Sequence, residues 1–152
     1  MRAPAITVAS AFAFAAAPAA LHAAPAPAPA PAPAEARATM VVEWTRLKAL
    51  PGERANLTAF IHLNWFAMDA KAVEQGLFTS YRLIANPAAD GEWDLLVEVG
   101  YPTPAGYDDP ATRAAFEAIR AAHKTVPVEG KTLRELGTIL GTERLPVLTG
   151  TR

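Results

Sequence analysis

Three histidines, fifteen carboxylates and no cysteine set the chemistry open to this chain. His62 is the candidate base. It lies in a long helical pattern in which Thr58 and Asp69 project to a similar side, at offsets of four and seven residues. A carboxylate that orients an imidazole makes a general base near neutral pH. A polar surface or interface face is the blander account, and it outweighs the catalytic one. Tyr81 is the second catalytic candidate. His123 closes a later helix, where a cation suits the negative end of the dipole. His22 falls in the leader.

The aromatics form the more coherent set. Trp44, Trp65, Tyr81, Trp93 and Tyr101 sit on four different elements. Convergence between helix and sheet would give an apolar pocket with polar tips, suited to a flat organic ligand. Trp44, Trp65, Tyr81 and Trp93, with His62, are the ligand-binding candidates. Ordinary core packing is the simpler alternative. Glu43, Arg82, Asp94 and Glu98 also lie on strand faces. They are expected to pair across a subunit interface, with catalytic carboxylates as the outside reading.

Other chemistries drop out. Without cysteine there is no thiol catalysis, disulfide or thiolate metal site. No helical His pair exists, so neither a metal site nor a cofactor is expected. Gly130-Lys131-Thr132 has the end of a phosphate loop, but the position where that motif needs its first Gly is Thr125. Net charge is −1 with both signs mixed, which argues against a nucleic-acid partner.

The elements that must position these residues begin after a distinctive amino terminus. Arg2 precedes an Ala-rich apolar run ending at Leu21-His22-Ala23, the layout of a secretory signal over residues 1–23. Pro4 and Pro18 make that run a poor permanent span. An uncleaved anchor is the alternative, and no stable membrane span is expected after cleavage. Ala24–Ala34 alternate Ala and Pro, an extended polyproline-II run within an expected linker over residues 24–38. Residues 39–150 are left for one domain, placed in the periplasm or outside the cell.

Within that domain Met40–Leu47 reads as a strand. Each of its faces mixes apolar and polar residues, so inside and outside are not distinguished. Glu53–Gln75 reads as one helix with the stripe Leu57, Ile61, Trp65, Met68 and Ala72, ended by Gly76 in a left-handed cap. Phe60, Leu63, Phe66 and Val73 widen the stripe, so the helix is expected to be buried twice. Leu77–Ala85 and Trp93–Tyr101 read as strands. In the latter, Trp93, Leu95, Val97, Val99 and Tyr101 form the face toward the helices. Asp109-Pro110 opens a second helix to His123. Lys131–Leu136 is a helical turn, and Thr138–Leu148 a last strand with a bulge at Gly141 and an edge marked by Pro146.

The order is strand, helix, strand, strand, helix, strand: an α+β, ferredoxin-like βαββαβ chain with a four-stranded antiparallel sheet and helices on one face. With its long first helix, the GLFTSYRLIAN and EWDLLVEVGY strands and the late TLRELGTILGTERL segment, residues 40–148 resemble the dimeric α+β barrel superfamily. The resemblance implies a homodimer joined through the open sheet face and a pocket between sheet and helices. Members include cofactor-free monooxygenases, haem-degrading enzymes and haem binders. The Asn, Trp and His of the haem degraders are not matched here, because Asn64 and His62 share one helix. The leading expectation is therefore an exported homodimer that binds a small hydrophobic or aromatic molecule. A cofactor-independent monooxygenase-like enzyme using the same pocket is the rival, and a purely structural or interaction dimer the third reading.

Overall fold

The computed structural model describes residues 37–88 and 91–148. The expected signal, and all of the linker but Arg37 and Ala38, lie outside them. The elements are β1 (Val41–Ala49), α1 (Arg54–Phe60), a π turn (Ile61–Trp65), α2 (Phe66–Glu74), β2 (Ser80–Ala85), β3 (Leu95–Tyr101), a 3₁₀ turn (Gly106–Asp108), α3 (Pro110–Ala122), α4 (Leu133–Leu136) and β4 (Gly137–Pro146). All strand pairs are antiparallel and the sheet order is β2-β3-β1-β4. This is the ferredoxin-like arrangement expected from the element order.

Register separates the two sheet faces. Glu43 pairs with Val99 and Arg144, Thr45 with Val97 and Thr142, and Tyr81 with Val99. Side chains of paired residues share a face, so Val41, Glu43, Thr45 and Leu47 look toward the helices. Val42, Trp44 and Arg46 look away. The mixed faces of β1 are thereby resolved: its inward face carries two polar residues between two apolar ones.

That interruption divides the core. One cluster packs Leu57, Phe60 and Ile61 against Leu47, Leu95, Val97 and Leu136. The other packs Ala72, Phe116 and Ile119 against Val41, Phe78 and Tyr101. Each fully buried Leu or Ile stabilises the fold by about 1.5–3 kcal/mol. The clusters also hold both major helices against the same sheet face.

The long helix is continuous in sequence but not regular. The π turn at Ile61–Trp65 holds one residue more than an α turn, which removes roughly 100° of rotation from everything after it. Buried positions accordingly run Leu57, Phe60, Ile61, Asn64, then step by five to Asp69 and on to Ala72. The stripe read at strict α spacing gave Trp65 and Met68 those places, and both are only half-buried. Gly76 ends the helix at φ +70°, with Leu77 N donating to Ala72 O and Gly76 N to Val73 O, the paired bonds of a Schellman cap. That cap occupies Leu77 and Phe78, so β2 begins at Ser80 rather than Leu77. β3 begins at Leu95, and just before it the Asp94 side chain accepts from Ala49 N (2.9 Å) and binds Lys48.

Pro110 stands in the first turn of α3 and Asp109 caps it through Thr112 N. β4 is an edge strand. Its register against β1 shifts between Arg46 and Leu47, leaving Leu140 as the extra residue beside Gly141. On the sheet face away from the helices, Glu98 lies between Trp44 and Arg82 in one cross-strand row. It accepts from Trp44 Nε1 (2.7 Å) and from Arg82 (2.8 and 3.0 Å). The strand charges expected to pair between subunits thus pair within the chain: Glu98 with Arg82, Asp94 with Lys48, Glu43 with Arg144.

Candidate functional site

Where the inward face of β1 turns polar, the two core clusters are joined at Val99, which packs against both. A cavity of about 720 Å³ lies between the sheet and α2–α3. Trp65, Met68, Phe78, Val97, Val99, Tyr101, Tyr107 and Phe116 form most of its wall. Glu43, Thr45, Asp69, Arg120, Thr142 and Arg144 give it polar points, with Asp108 and Ile139 completing the lining. A mainly apolar, aromatic-lined hollow with a few convergent polar groups is the usual form of a small-molecule site.

The charged groups divide into an ion-paired set and two, Asp69 and Arg120, that make no salt bridge among the described residues. Glu43 is buried and accepts from Arg144 Nε (2.8 Å), Arg144 Nη2 (2.6 Å) and Tyr107 N (3.2 Å). Arg144 also donates to Asp108 (2.8 Å), which binds Arg113 as well. The loop between β3 and α3 closes over this network at Gly106. Its φ of +58° suits glycine, and a Cβ there would stand 2.7 Å from Glu43 Oε1.

Asp69 is different. It is only 4% exposed, it lines the cavity, and burial pushes its carboxyl up to about 7, against a smaller opposing pull from Arg120. No hydrogen bond among the described residues offsets the loss of water. A carboxyl poised near neutral pH is matched to giving and taking protons there. Tyr101 shares the wall. Burial first, then the negative charge of Glu43, pushes its phenol far up, so it stays a neutral hydroxyl. Arg120 lies at the carboxyl end of α3, its guanidinium 5.4 Å from the centre of the Phe116 ring.

Of the five ligand-binding candidates, the structure places Trp65 in the cavity wall. The other four lie elsewhere. Trp44 is on the opposite sheet face, bound to Glu98. His62 is exposed and stands edge-on to Phe66 at 5.0 Å. Tyr81 packs on the other side of Phe66 at 4.8 Å. Trp93 precedes β3, and its carbonyl accepts from Asn86 Nδ2 (2.8 Å). The catalytic candidates His62 and Tyr81 are thus outside the cavity. The His62–Asp69 pairing is undone by the π turn, which leaves His62 in solvent and brings Asp69 inward. Asn64, within that turn, is a buried clasp. Its amide donates to Phe60 O and Val126 O and accepts from Val126 N, with His123 Nε2 at 3.1 Å. His123 stands at the end of α3 as its sequence position suggested, and makes this contact in addition.

Sequence reasoning missed Asp69 as a cavity residue, along with Glu43, Arg120 and Arg144. One signal was present: inward strand positions occupied by Glu43, Thr45, Thr142 and Arg144 mark a place where the core cannot be dry. The described residues hold no cluster of three or more His, Asp or Glu placed for a metal, and no helix among them is long and apolar enough to cross a membrane.

No family model and no curated protein matches the chain. Among solved structures it is similar to a protein of Chloroflexus aurantiacus J-10-fl that is provisionally assigned as an antibiotic biosynthesis monooxygenase. The two share 16% sequence identity over 75% of this chain and 98% of that one, with a TM-score of 0.40.

Proposed function

We propose that the chain binds a small, largely apolar and partly aromatic molecule in the cavity and moves a proton on it through Asp69. The observation that carries this reading is a buried carboxyl near neutral pKa, without a hydrogen-bond partner among the described residues, in the wall of an aromatic-lined hollow. A binding-only site gains nothing from such a group, which costs stability. An enzyme uses it to take a proton from a carbon acid or hydroxyl. A cofactor-independent oxygenase is the special case in which the deprotonated substrate passes electrons to dioxygen. One oxygen atom then enters the product and the other leaves as water. Incubation with 2-tetralone in D2O, followed by NMR, tests the proton step. Loss of the α-proton signal is expected to be faster with the wild-type protein than with Asp69→Asn. Equal rates would sink the proposal.

We also propose that two copies join through the sheet face that carries Val42, Trp44 and Leu96, and that the chain is exported. The uncovered apolar side chains of Val42 and Trp44 beside the ion-paired Glu98 and Arg82 support the first, and the residues before Ala24 support the second. Light scattering should then return twice the chain mass, and a monomer at micromolar concentration would overturn the pairing. Amino-terminal sequencing of secreted material reads the cleavage point.

A further inference from the structure

Charge accounting around the cavity narrows the ligand. Glu43 and Asp108 are matched by Arg144 and Arg113 in one closed network of ion pairs. That leaves Asp69 and Arg120 among the charged residues at the wall. Arg120 makes no salt bridge among the described residues. Asp69 makes no salt bridge with it, so Arg120 is the arginine of the wall without an ion-pair partner among the described residues. Its guanidinium is steadied on the Phe116 ring. A planar guanidinium fixed beside an aromatic wall suits a carboxylate, which it meets with two parallel hydrogen bonds.

We infer that the cavity takes a small aromatic carboxylate, its ring among Trp65, Phe78 and Phe116 and its anionic group on Arg120. This rests on the small-molecule reading of the cavity and adds the charge of the ligand to it. Asp69 and Arg120 line the same cavity from α2 and α3.

Isothermal titration of the full chain with 1-naphthoate and with the neutral 1-naphthalenemethanol tests the inference. The wild-type protein is expected to bind the acid at least tenfold more tightly than the alcohol. Arg120→Gln should lose that preference while holding the alcohol within about twofold, and Arg120→Lys should keep part of it. Thermal melts of both variants establish that they fold, and the exposed position of Arg120 favours this. Equal binding of acid and alcohol by the wild type, or a preference that survives in Arg120→Gln, overturns the inference and leaves the cavity reading standing. Failure of both probes to bind overturns the two together.

Discussion

Replacing Asp69 with Asn should make the protein more stable at alkaline pH, and the size of the effect follows from its burial. Asn keeps the shape of the side chain and cannot ionise. In the folded wild type, burial moves the carboxyl from 3.8 to about 7. An acid raised in this way binds its proton more tightly when folded than when unfolded, so protonation favours folding. The stability of the protonated protein is fully present below about pH 4. It is lost progressively as pH rises through the window from 3.8 to 7, and is at its minimum above that. At 1.36 kcal/mol per pKa unit the shift corresponds to a ceiling of about 4 kcal/mol. Water admitted by the open cavity lowers the figure. Urea unfolding followed by tryptophan fluorescence at pH 4.5, 6 and 8 measures it in both proteins. Subtracting the variant from the wild type removes the contribution of every other titrating group. The expected difference is small at pH 4.5 and grows to about 2–4 kcal/mol in favour of Asp69→Asn at pH 8. A difference that does not change with pH, or a variant less stable than wild type at pH 8, would refute the assignment of a strained buried carboxyl. A gain in stability together with loss of proton transfer is the pattern expected of a group retained for chemistry.

Two other positions give clear expectations. Gly106→Ala places a Cβ against Glu43 Oε1 at a backbone angle that disfavours side chains, and should cost about 1–3 kcal/mol in thermal unfolding. Asn64→Ala strands the backbone N–H and carbonyl of Val126 and releases His123. It should cost about 2–3 kcal/mol and speed hydrogen exchange at Val126.

The architecture was readable because local signals agreed with one another. Gly76 required a left-handed cap, Pro110 stood where a helix begins, and Leu95, Val97, Val99 and Tyr101 alternated as an inward strand face should. The site was less readable, for two physical reasons. Glu43 and Thr45 look like solvent-facing residues when the strand stands alone, and only pairing with β3 and β4 shows that they point inward. Asp69 was placed beside His62 because regular helical spacing puts it there. The backbone departs from that spacing four residues earlier, at Trp65, and no propensity scale registers a π turn. Aromatic residues carry no label for face, which is why Trp44 and Trp65 looked equivalent in sequence and lie on opposite sides of the sheet.

The π turn also bears on ancestry. One additional codon in an ordinary helix is enough to rotate the whole carboxyl half by about a quarter turn. An acidic residue that would face elsewhere on a regular α-helix is thereby delivered to the interior. A relative lacking that codon would keep the same fold, yet offer a different residue to the cavity. An alignment drawn without a gap across Ile61–Trp65 would then equate side chains that point in different directions.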